Sequence, residues 1–195
     1  MSEWPANWAD LVRGIGCGMC EHGRPESDAF GVRIHEGRYS DSYLQRGDVQ
    51  RGYTVVIWRG RHVTEPTELS EAEAAGYWTE VLTVARALIA VYQPLKMNYE
   101  TLGNSLPHLH THLVPRFTDD PRPGQPFPLA GTAPPEKIPE ARLLAEAAHP
   151  RAGAASASPS PTAGAKHKCT NMPGGAHPGS GSGTARPSGS APASS

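Results

Sequence analysis

The run His108-Leu109-His110-Thr111-His112-Leu113-Val114, continued by Pro115-Arg116, decides how this chain is read. Its three histidines fall at every second position. Along a β-strand, side chains alternate between faces, so residues i, i+2 and i+4 share one side. His108, His110 and His112 therefore line one face of a strand, and Leu109, Thr111 and Leu113 the other. The second face suits a core. The first does not, because each imidazole carries two nitrogens that need partners and titrates near neutrality. Such a row is expected to face a site.

Upstream, Gly52 to Trp58 is rich in β-branched and aromatic residues and reads as a strand. It runs directly into Arg59-Gly60-Arg61-His62. Ser70 and Glu73 form a capping box, which opens a helix expected to run to about Tyr92. Trp78, Val81, Leu82, Ala85, Leu88, Ile89 and Tyr92 recur at helical spacing and give it one broad apolar face. Pro94 stops it, Leu95 to Glu100 reads as a strand, and Leu102 to Pro107 as a loop before the histidines. Nearer the N-terminus, Trp4 to Arg13 reads as a short helix, and Gly31 to Glu36 and Arg38 to Gln45 as two strands around Gly37. This order predicts an α+β domain, an antiparallel sheet with helices on one face.

The chain has 195 residues and a formal net charge of −1, so it carries no basic footprint for bulk nucleic acid. No apolar run approaches a membrane span, and no secretory leader is read at Met1 to Pro5. A cytoplasmic protein is expected. Three cysteines do not make a disulfide framework. Cys17-x-x-Cys20 reads as a pair of metal ligands or a redox pair. Pro135 to His149 has room for one more helix. From residue 150 onward Ala, Gly, Ser and Pro dominate, a composition that cannot offset its ordering entropy. The expected organisation is a domain over 1–130, a short helical extension over 131–149 and a disordered tail over 150–195, where His167, Cys169 and His177 are read as adventitious.

The histidine run resembles the signature of the histidine triad (HIT) superfamily. Gly52 to His62, Leu69-Ser70-x-x-Glu73, Asn98, Gly103-Asn104-Ser105 and Pro115-Arg116 are also similar to family positions, and the resemblance covers roughly Cys17 to Pro128. It implies a HIT-like fold, often in a homodimer, and hydrolysis or nucleotidyl transfer at the α-phosphorus. Implied substrates are dinucleoside polyphosphates such as diadenosine tetraphosphate, nucleoside phosphoramidates and adenylylated amines. Superfamily transferases carry Gln at the third triad position; His112 stands there, which favours a hydrolase.

On that resemblance His110 is the nucleophile and His112 contacts the phosphate or leaving-group oxygen. An imidazole suits the role because it is largely unprotonated at neutral pH, and its attack splits one displacement into two. Its other nitrogen must hold a proton on an acceptor that the sequence does not reveal. Gly103, Asn104 and Ser105 become candidates for holding phosphoryl oxygens, and Asn98 for a ribose. Some bacterial relatives hold a structural zinc through a cysteine pair, the histidine after the central strand and the first triad histidine. Those positions are Cys17, Cys20, His62 and His108 here. His22 stands as an alternative to His62, and many relatives use the first triad histidine only as a hydrogen-bonding residue. Two other classes compete: a metal-binding regulatory protein, and a nucleotide-binding HIT protein without catalysis.

Overall fold

The computed structural model describes residues 3–47, 49–120, 122–127 and 137–157. Five antiparallel strands form one sheet: β1 (Gly31–Glu36), β2 (Ser40–Gln45), β3 (Thr54–Trp58), β4 (Lys96–Glu100) and β5 (His110–Arg116), in the order β1-β2-β3-β5-β4. The helices are α1 (Trp8–Val12), α2 (Gly18–Glu21), α3 (Glu71–Tyr92) and α4 (Glu140–Ala157). The α+β class and the antiparallel sheet are what the patterning predicts; α3 packs on one face as expected, while the short α2 lies over the other.

Helix α3 begins as expected. The Ser70 hydroxyl accepts from the Glu73 amide, and the Glu73 carboxylate accepts from the Ser70 amide. It ends at Gln93, in the left-handed conformation that closes a C-terminal turn, with Pro94 behind it. The buried stripe, however, is centred on Tyr77, Val81, Val84 and Leu88, while Leu82 and Ile89 remain exposed. The apolar pattern is wider than the strip a flat sheet can cover, so periodicity alone places it about one residue off. By length and composition α3 is also apolar enough to cross a membrane. Here that stripe packs on the sheet against Val32, Ile34, Leu44, Val56, Trp58, Met97, Leu109 and Leu113, the position of a core helix.

The other face of the sheet is left to the site. Thr111 points into the core, where its hydroxyl meets those of Tyr77 at 2.8 Å and Thr101 at 2.9 Å, so a buried polar side chain on the apolar face is satisfied. Regular pairing of β5 begins at His110 rather than His108, because Leu109 pairs with Val63 and Trp58 at a bend.

Helix α4 continues to Ala157, eight residues past the boundary at 149 read from composition, with Pro150 inside it. Leu143, Ala147, Pro150 and Ala154 are buried at helical spacing. Gly153 lies against Ala87 of α3, and the Arg151 guanidinium donates to the Arg33 carbonyl at 2.7 Å. Small side chains form this stripe, so the composition conceals it. Most of the expected tail, with His167, Cys169 and His177, lies outside the described residues.

Candidate active site and metal centre

Strand alternation sends Val55, Ile57 and Arg59 to the open face, beside Tyr43 from β2 and the histidines of β5. The segment from Cys17 to Phe30 crosses in front of them and makes the opposing wall. Between wall and sheet lies a cavity of about 350 Å³ lined by Met19, His22, Phe30, Tyr53, His110 and His112 among others. The wall is fastened by a buried carboxylate. Asp41 accepts from Arg24 Nε and Nη2 at 2.7 and 2.6 Å and from Arg59 Nε at 2.6 Å.

His110 is buried, and its Nδ1 lies 2.5 Å from the carbonyl oxygen of His108. A carbonyl only accepts, so Nδ1 carries the proton and Nε2 keeps the lone pair. This is the acceptor that the sequence does not reveal. Burial lowers the His110 pKa, and burial followed by repulsion from His110 pushes His112 down to about 4. Both rings are therefore neutral at pH 7. They meet edge to face with centroids 4.8 Å apart. The Tyr53 hydroxyl lies 2.6 Å from His112 Nδ1.

His108 turns away from the cavity towards Cys17, Cys20 and His62, and the ligand atoms of these four residues lie within 4.8 Å of one another. Cys20 Sγ is 3.3 Å from His62 Nδ1 and 3.4 Å from His108 Nδ1, and Cys17 Sγ is 3.5 Å from His108 Nδ1. A tetrahedral zinc with Zn–S and Zn–N bonds of about 2.3 and 2.05 Å sets S···N separations near 3.6 Å. The donor set fits that ion. His108 Nε2 donates to the Trp58 carbonyl at 3.0 Å, which turns Nδ1 towards the sulfurs, the outer hydrogen bond that metal-bound imidazoles use. Burial pushes His108 down to about 4, which keeps it neutral as a ligand must be. Gly14, at φ +82°, lets the preceding turn approach the His62 ring, where an added Cβ would lie 3.0 Å from Cγ. Of the two histidines open for the fourth position, His62 joins the cluster and His22 lines the cavity instead.

None of the remaining sequence candidates lines the main cavity. Asn98 is on β4 beside a second cavity, with its amide 3.4 Å from Glu100. Gly103, Asn104 and Ser105 are in the loop before β5, Asn104 and Ser105 exposed, and Leu106 of that loop lines the main cavity. Arg59, Tyr53, Tyr43 and Met19 are cavity residues that the motif reading did not single out. The odd-numbered alternation of Tyr53, Val55, Ile57 and Arg59 hinted at Tyr53 and Arg59, and nothing local hinted at Tyr43 or Met19.

A sheet backed by one long helix, with alternating histidines on its open face, is the arrangement of a HIT domain. The HIT domain family model matches residues 36–119 of this chain, the stretch that holds β2 to β5 and the three histidines. Among characterised proteins it is similar to Protein hit of Bacillus subtilis (strain 168), 27% identical over 95 residues that make up 46% of this chain and 65% of that protein. The chain thus spans just under two thirds of that relative's length. Among solved structures it is similar to a histidine triad protein from Bradyrhizobium japonicum (TM-score 0.57, 24% identity, 63% of this chain and 90% of that one). It is also similar to one from Marinobacter aquaeolei VT8 (TM-score 0.59, 23% identity, 67% and 93%). These structural likenesses show the fold. Cys17, Cys20 and α4 lie outside the matched residues 36–119.

Proposed function

We propose that this chain is a nucleotide hydrolase acting at the α-phosphorus of dinucleoside polyphosphates or nucleoside phosphoramidates through a nucleotidyl-imidazole on His110. The observation that carries this reading is the His110 ring, with Nδ1–H tied to the His108 carbonyl and Nε2 left as a neutral nucleophile in a largely apolar cavity. The Nε2 lone pair attacks phosphorus, and the N–P bond forms as the bond to the leaving group breaks. A polyphosphate leaves with its electron pair as an oxyanion, and an amine takes its proton from solvent. Water then attacks phosphorus, gives its proton to solvent, releases the nucleoside monophosphate and restores His110. His112, one strand step away, faces the phosphoryl and leaving-group oxygens. The apolar walls around Met19, Phe30 and Ile57 suit a base and ribose. Asn98 and the Gly103-Asn104-Ser105 loop stay secondary candidates for ribose and phosphate.

Zinc held by Cys17, Cys20, His62 and His108 would fix the N-terminal wall to β5 as a structural ion, and the phosphorus chemistry does not need it. Two available thiols suit a reducing compartment such as the cytoplasm. Leu82 and Ile89 on α3 and Leu95 and Tyr99 by β4 are exposed apolar residues available to a second copy in a homodimer.

The test is a rapid quench of the protein with a nucleoside phosphoramidate and with diadenosine tetraphosphate, followed by intact mass. Wild type should gain one nucleotidyl mass, and His110→Ala should gain none while still binding nucleotide. Nucleotide binding without an adduct or turnover in wild type would make the chain a non-catalytic binder instead.

A further inference from the structure

We propose that Tyr53 is a positioning residue that locks His112 in the Nε2–H tautomer, so that a fixed hydrogen-bond donor stands beside the lone pair of His110. What the donor is for rests on the reading of His110 as nucleophile; which nitrogen holds the proton does not.

The placement follows from register. Val55 of β3 pairs with His112 of β5, so Tyr53, two residues before Val55 on the same face, is the diagonal neighbour of His112. Gly52, at φ +72°, turns the chain into the strand just before it. The two rings lie nearly parallel, 16° apart with centroids at 5.9 Å, and the phenol oxygen sits 2.6 Å from Nδ1. Burial raises the phenol pKa, so Tyr53 keeps its proton, and His112 is neutral with one lone pair. A phenol O–H pointing at a neutral imidazole nitrogen donates to it. Nδ1 is then the acceptor, and the ring proton is on Nε2. The opposite assignment makes Nδ1–H donate to the phenol oxygen. The phenol proton would then need another acceptor, and among the described residues no second hydrogen bond of this hydroxyl is seen.

Neighbouring histidines are thus held in opposite tautomers by two different partners. A backbone carbonyl at Nδ1 leaves His110 with a lone pair on Nε2; a phenol at Nδ1 leaves His112 with a proton on Nε2. The pairing suits attack at phosphorus, which needs one nucleophilic nitrogen and one donor to the oxygen where charge develops. It also limits what His112 does. A neutral imidazole that gave up its only proton would become an imidazolate, so His112 serves as a hydrogen-bond donor to a phosphoryl oxygen and keeps its proton through the cycle.

Imidazole ¹⁵N shifts of the free protein report the tautomer directly. Wild type should show His112 with an acceptor-type Nδ1 and a protonated Nε2, and Tyr53→Phe should show a mixture of tautomers. In turnover, Tyr53→Phe should lower kcat about tenfold, with KM within twofold. In a His112→Ala background the same change should have no further effect, because coupled residues are not additive. A protonated Nδ1 in wild type overturns the proposal. So does an unchanged tautomer in Tyr53→Phe, or an equal loss of kcat in the His112→Ala background. A wild type that forms no adduct sinks the nucleophile reading instead, and the ¹⁵N result still decides the tautomer.

Discussion

Asp41 joins the sheet to the cavity wall, and replacing it by Asn separates two effects. Its side chain is fully buried, that of Arg59 is 12% exposed and that of Arg24 is 39% exposed. Asn keeps the volume, removes the charge and turns an N–H₂ towards one of the two guanidinium groups. Removing one partner of a buried ion pair costs about 3–5 kcal/mol, mainly because the other charge stays buried and uncompensated. Arg59 is in that position. Arg24 is more than a third exposed and can rehydrate, so its share falls to about 0–1 kcal/mol. Asp41→Asn should therefore cost roughly 3 kcal/mol, which is about 6–12 °C in Tm for a domain of this size. Arg24→Ala should cost about 1 kcal/mol or less, yet free the wall that carries Met19, His22 and Phe30, raising KM for nucleotide more than it lowers kcat. Urea unfolding of both variants, with wild type beside them, measures the first pair of numbers; steady-state kinetics measures the rest. An Asp41→Asn protein within about 1 kcal/mol of wild type would refute the reasoning, as would an Arg24→Ala protein equally destabilised.

Leu143 in α4 is fully buried, so Leu143→Ala should destabilise by about 2–5 kcal/mol in the same assay. A neutral result would show that the helix is not part of the folded domain. Protein purified without added metal should contain about one zinc per chain by elemental analysis. Strong chelation should lower Tm, since sites of this type contribute roughly 10–16 kcal/mol to folding; metal-free protein of normal stability would remove the ion from the structure. His35 has a buried Nε2 with no hydrogen-bond partner among the described residues, and burial lowers its pKa below the ordinary 6.5, with Glu80 and Asp41 opposing. Below pH 6.5 the unfolded chain then binds the extra proton, so stability should fall on acidification from that point. His35→Gln should flatten this slope in a pH series of urea midpoints, and an unchanged slope would clear His35 of the effect.

Much of this protein is written locally. The strand period of the histidine run put His110 and His112 on the cavity side, because alternation is a property of the extended backbone itself, while His108, ahead of the regular pairing, turns to the cysteines. Leu109, Thr111 and Leu113 are buried as that period demands. The Ser70–Glu73 cap needed only four residues, and it starts α3 where expected. The spacing of the cysteine pair marked it as metal ligands or a redox pair, and the fold brings it to His62 and His108. What the sequence left open depended on register and packing between distant segments. His62 stood as the fourth ligand with His22 as an alternative, and only the turn after β3 placed the former in the cluster and the latter against the cavity. Tyr53 reads as an ordinary strand aromatic until β3 and β5 are aligned and it falls diagonal to His112. Pro150 and the small residues around it read as the end of order. In the fold they lie on a helix whose buried stripe packs against α3, because close helix packing favours small side chains that composition counts as weak. Local periodicity is set by backbone geometry and survives in the sequence; partners more than a few residues apart are chosen by the tertiary packing energy, which no single segment carries.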